Sequence, residues 1–141
     1  MAWALGVHFL FQGVPKPSIH ASETQHDFGD VPPAVVSYTI AIGNEGSSDL
    51  TILNIWTSCG CTSAKLTVND VTSPVFNTDG DAAFDKGWHA IIRPGESAQL
   101  EISYDPTVTT NYYSGIRTVF VESDDPSQRV LQVQVRVHEI P

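Results

Sequence analysis

In Ala98-Gln99-Leu100-Glu101-Ile102-Ser103-Tyr104-Asp105-Pro106, apolar and polar side chains alternate without a break until Asp-Pro stops the run. A period of two puts Ala98, Leu100, Ile102 and Tyr104 on one face of a half-buried strand. The same alternation appears upstream, where Tyr38, Ile40 and Ile42 are interleaved with Ser37, Thr39 and Ala41 and end at Gly43-Asn44-Glu45-Gly46. Downstream, Leu131, Val133, Val135 and Val137 face one way and Gln132, Gln134 and Arg136 the other. Apolar, β-rich runs at Leu50–Trp56 and Ile116–Val121 read as further strands, and shorter ones fit at Ile19–Ser22, Thr24–Phe28 and Lys65–Val68. No segment carries a 3.6-residue apolar stripe long enough for a core helix. About seven short strands parted by Gly, Pro, Asn and Asp turns predict an all-β, immunoglobulin-like antiparallel sandwich over residues 18–141. Asn69-Asp70 suits a tight turn, yet residues 69–93 read as one long loop insertion.

The chain has 141 residues, of which 41% are hydrophobic and 16% charged, enough apolar material for one packed domain. Sixteen acidic residues against seven basic ones give a net charge of −9, the wrong sign for a nucleic-acid surface or for docking a basic face on anionic lipid. Met1–Phe11 is apolar apart from His8, and too short to cross a bilayer alone. We read residues 1–17 as an apolar extension followed by a stiff Pro15-Lys16-Pro17 spacer, serving as an anchor on a membrane or a partner.

Several segments then fall into one pattern: Asp27-Phe28-Gly29-Asp30-Val31, Ile42-Gly43-Asn44-Glu45-Gly46, Ser58-Cys59-Gly60-Cys61-Thr62, Pro94-Gly95-Glu96-Ser97 and Ser123-Asp124-Asp125-Pro126. From about Ser22 to Val137 the chain resembles the bacterial DUF1573 family, Ig-like domains related to the ASH and MSP-type sandwiches. The resemblance implies an extracytoplasmic protein without established enzymatic activity, in a group whose domains mostly serve binding and assembly. The insertion between Cys61 and Pro94 is longer than the simplest members of that family carry.

Cys59 and Cys61 are the only cysteines, so no long-range disulfide is available. Two residues apart, they can close a small disulfide, remain two buried thiols, or present two sulfurs to a soft ion such as Cu(I) or Zn(II), with His89 or His26 folding in as a further ligand. The structural pair is our first reading and the metal or redox site the alternative. Asn77-Thr78-Asp79-Gly80-Asp81 and Asp85 offer alternate oxygen ligands, but Gly80 comes early and Trp88 stands where a closing Glu belongs. Calcium is therefore not expected. Trp88 next to His89, and Tyr112-Tyr113 on a loop tip, are candidate contact residues or caps over the core. Trp3, Val7, Phe9 and Phe11 are candidate contacts in the extension, with Val7, Phe9 and Phe11 alternating as an added strand would. Hydrolase elbows, phosphate loops and zinc-protease motifs are missing. The expectation is a non-catalytic extracytoplasmic binding or assembly module, a structural subunit of a membrane-associated or filamentous complex. It would need no cofactor and would meet protein partners or copies of itself, with membrane contact through the extension.

Overall fold

The computed structural model describes residues 13–79, 87–109 and 111–141. In chain order the strands are β1 (Ile19–Ala21), β2 (Gln25–Val31), β3 (Val36–Asn44), β4 (Leu50–Thr57), β5 (Thr62–Val68), β6 (Val71–Thr72), β7 (Ala90–Ile92), β8 (Ser97–Tyr104), β9 (Ser114–Ser123) and β10 (Val130–Glu139). One 3-10 turn, Pro106–Val108, follows β8, capped by the Asp105 carboxylate, which accepts from the Thr107 N–H. No helix among the described residues is long and apolar enough to cross a membrane.

Two five-stranded sheets face each other. One runs β1-β3-β8-β5-β6, the other β2-β10-β9-β4-β7. The alternation read from sequence is the alternation observed: Ala98, Leu100, Ile102 and Tyr104 of β8 and Leu131, Val133, Val135 and Val137 of β10 all point inward and are buried. All of them but Tyr104 and Val137 pack with Ile42, Leu50, Ile52, Val119 and Val121 in the main core. A smaller cluster of Val31, Cys61, Tyr104 and Val137 closes one end.

The antiparallel expectation needs one correction. β2 runs parallel to β10, with His26 opposite Val135, so the first long strand lies beside the last. This follows from the short β1, which pairs with β3 before the chain crosses at Ser22 to the other sheet. The tight turn at Asn69-Asp70 does form. Both residues adopt positive φ (49° and 67°), as a two-residue hairpin of this twist requires, and they fold β6 back onto β5 with Val68 opposite Val71. Residues 69–93 thus hold two short strands, β6 and β7, and a bridge from Phe76 to Ala64, in place of an unbroken loop. Sequence missed them because two or three residues are too few to display a period.

Candidate functional site

The Cys-Gly-Cys turn is where the chain leaves β4 in one sheet and enters β5 in the other. Thr57, at the end of β4, turns inward, and its hydroxyl shares its one proton between the carbonyls of Cys59 (2.9 Å) and Thr62 (2.8 Å). Ser58 pairs with Thr118 on β9, its N–H donating to the Thr118 carbonyl and its Oγ accepting the Thr118 N–H. Asn77 donates from Nδ2 to the carbonyls of Gly60 and Thr62, and the Asp105 N–H donates to the Cys61 carbonyl. Within this frame Cys59 and Cys61 are joined as a disulfide, their Cα atoms 5.1 Å apart. Cys61 is buried in the small end cluster, while Cys59 is only half-buried.

The same end holds a polar cluster that sequence reasoning missed. Glu139 continues the inward parity of β10 and is buried, where four apolar residues precede it. Its carboxylate accepts from the Tyr104 hydroxyl, from Thr109 Oγ1 (2.8 Å to Oε1) and from the Tyr113 N–H (3.2 Å). The Arg117 guanidinium lies 3.6 Å above the Tyr113 ring and adds positive charge nearby. Burial pushes the Glu139 carboxyl up, but the hydrogen bonds from Tyr104, Thr109 and Tyr113 and the charge of Arg117 outweigh it, leaving the group below the usual carboxylate range. Burial, then the Glu139 carboxylate, pushes the Tyr104 hydroxyl up to about 12. The Glu139 carboxylate is thus supplied with donors from within the fold, while the buried Arg117 Nε beside it has no hydrogen-bond partner among the described residues, and a small pocket lined by Thr109, Tyr112 and Glu139 opens onto the cluster.

The candidate residues separate accordingly. Tyr113 is held by Glu139 and by its own hydroxyl on the Ile116 carbonyl, whereas Tyr112 is exposed. Trp88 packs against Phe76 with ring centroids 4.9 Å apart and covers the main core. His89 lines a shallow groove with Trp88, Val68 and Val71, so it is not grouped with the cysteines. His26 is stacked on Tyr38 at 3.5 Å. Among the described residues no three His, Cys, Asp or Glu side chains cluster as a metal site requires. Trp3, Val7, Phe9, Phe11, Asp81 and Asp85 lie outside the described residues.

The two outer faces differ. The β3-β8-β5 face is polar, with Ser37 bonded to Ser103, Thr67 to Thr72, and Lys65 beside Glu101. The β9-β4-β7 face carries Trp56 stacked on Phe120 (5.2 Å, 13°) together with the exposed Ile116, Leu53 and Ile91. Parity in the sequence marks Phe120 as outward, between the buried Val119 and Val121, but it groups Trp56 with the buried Leu50 and Ile52; the register shift between Ile52 and Asn54 is what turns Trp56 to the outer face.

These features define an Ig-like β-sandwich in which the exposed Leu53, Ile91 and Ile116 share one sheet with the Trp56–Phe120 pair. The chain belongs to the HYDIN/CFA65/VesB-like Ig-like domain family, whose model matches residues 17–136. Among solved structures it is similar to a protein of unknown function from Porphyromonas gingivalis W83 (TM-score 0.66, 21% identity), over 91% of this chain and 50% of that one. It is also similar to the secreted serine protease VesC from Vibrio cholerae (0.52, 13%; 88% of this chain, 23% of that one). A third likeness is to the periplasmic chaperone SfaE (0.54, 12%; 88% and 61%). The chain thus spans half or less of the first two relatives, and at these identities the likeness is one of fold. Among curated proteins no relative matches the sequence.

Proposed function

We propose that this chain is a non-catalytic, extracytoplasmic Ig-like module that binds a protein partner or further copies of itself, as a structural subunit of a larger membrane-associated or filamentous complex. The observation that carries the reading is the Trp56–Phe120 face, where a stacked aromatic pair lies with the exposed Leu53, Ile91 and Ile116 on one sheet of an acidic molecule. The secreted and periplasmic character of VesC and SfaE supports the location, and the chaperone fold supports binding over catalysis. Within the Ig-like family, the Ser58–Thr62 motif favours the bacterial DUF1573 group as the finer affiliation. The apolar extension, with Val7, Phe9 and Phe11 alternating, supplies a strand to a neighbouring sheet edge in this reading. Trp88, Tyr112 and Tyr113 play at most a supporting part, and no resident cofactor is needed. A Cu(I) or zinc ion on Cys59, Cys61 and His89 requires an opened disulfide and a histidine drawn out of another groove.

The test is light scattering on the full chain, on Phe120→Glu, and on a chain lacking residues 1–13. The full chain is expected to associate, with or without its purified partner, and both variants to lose that association while keeping the β-sheet circular dichroism. A full chain that stays monomeric and binds nothing, with both variants identical to it, overturns the reading.

A further inference from the structure

We propose that the Cys59–Cys61 bridge is a reversible thiol–disulfide site, opened by an external thiolate that attacks Cys59 Sγ.

As a staple the bridge does little. It joins residues separated by two in sequence, and the chain entropy a disulfide removes shrinks with the loop it closes. The turn is also held without it. Thr57, Ser58, Asn77 and Asp105 bind the backbone of residues 57–62 through the hydrogen bonds described above, and the Thr62 N–H donates to the Cys59 carbonyl (3.1 Å). A cleaved pair therefore stays in place with its sulfurs adjacent, ready to close again. A disulfide that adds little stability, in a turn fixed independently of it, is suited to chemistry.

The two sulfurs are not equivalent. Cys61 is 2% exposed and packed among Val31, Tyr104 and Val137, while Cys59 reaches the surface. Access therefore selects Cys59 for attack. The incoming thiolate forms a bond to Cys59 Sγ as the Cys59–Cys61 bond breaks. Its electron pair leaves on Cys61 Sγ, which takes a proton from solvent, with the Thr62 hydroxyl 3.6 Å away as a neighbouring hydrogen-bond partner. A second thiolate attacks the external sulfur of the mixed disulfide and releases Cys59. Two external thiols are oxidised to their disulfide and the protein bridge is reduced to a dithiol; the reverse sequence closes it. The Cys61 N–H, 3.0 Å from Cys59 Sγ, is placed to stabilise a thiolate there. The reaction partner is a small or protein thiol–disulfide couple, for which glutathione is the probe.

The native full chain is titrated with reduced and oxidised glutathione, quenched with acid, alkylated and weighed intact, with circular dichroism in parallel. The expected result is complete, reversible opening without denaturant and with an unchanged sheet signal. Cys61→Ser is expected to take one glutathione from oxidised glutathione on Cys59, and Cys59→Ser to react roughly tenfold more slowly or less, its remaining thiol being buried. Should either variant fail to fold, the order of alkylation in partly reduced wild type gives the same reading, Cys59 before Cys61. A bridge that opens only in denaturant, an opening that unfolds the sheet, equal reactivity of the two cysteines, or a native chain lacking the bridge each overturns the proposal.

Discussion

Glu139 stands where the alternation of β10 calls for a fifth apolar side chain, and what permits a carboxylate there is its set of donors. Its folded pKa is lowered from the ordinary carboxyl value of 4.5. The stability this contributes is present above that ordinary, unfolded value and is lost as pH falls through the lower folded one. Wild type is therefore expected to weaken in urea melts taken at successively lower pH below about 5. Glu139→Gln should flatten that acid slope and lower stability at neutral pH by about 1–3 kcal/mol, since Tyr104, Thr109 and Tyr113 lose a charged acceptor. Tyr104 has the opposite sign: its raised pKa favours the neutral phenol in the fold, so its contribution holds below about 10 and fades as pH rises through about 12. Nothing in the sequence marks Glu139 as buried except its parity, because a glutamate at a strand end is ordinarily read as the first solvated residue.

At the scale of the element, the turns act as clamps between strands distant in sequence. Asn44 accepts from the Ser18 and Gly46 N–H groups through Oδ1 and donates to the carbonyls of Ser48 and Ile92 through Nδ2. Asp125 holds β1 by accepting the Ile19 N–H (2.8 Å) and closes its own turn by accepting from Ser127 and Gln128. The motifs that mark the family resemblance are thus largely architectural. Gly46 belongs to this set for a steric reason: a Cβ there would sit 2.3 Å from the Lys16 carbonyl oxygen and 2.6 Å from the Ser18 nitrogen. Backbone cannot yield as a side-chain tip can, so Gly46→Ala should expel the Lys16–Ser18 spacer and cost about 1–3 kcal/mol. Amide exchange checks this. Ser47 and Glu45, which donate to Lys16 and Ser18, should lose protection while β9 and β10 keep theirs. β3, β8 and β10 were legible because each shows an unbroken alternation over six or seven residues, and β4 and β9 because each is a β-rich apolar run. The parallel β2–β10 pairing was not, because alternation states which way a side chain points and says nothing of which strand lies alongside.

For the whole molecule, a net charge of −9 and an apolar sheet face pull association in opposite directions. Two copies repel at long range, and the repulsion is screened as the Debye length falls from about 10 Å near 0.1 M salt to about 3 Å near 1 M. Contact between Trp56–Phe120 faces gains from burial, which salt does not weaken. Self-association through that face is therefore expected to strengthen with sodium chloride, whereas an interface built on opposite charges weakens. Sedimentation velocity across that salt range distinguishes them, and Phe120→Glu should abolish the salt-promoted species by placing an unpaired charge at its centre. If association instead weakens with salt and survives Phe120→Glu, the acidic surface carries the contact. The contact then joins an acidic patch to basic side chains of a second copy, and the aromatic pair serves only as a cross-strand brace between β4 and β9.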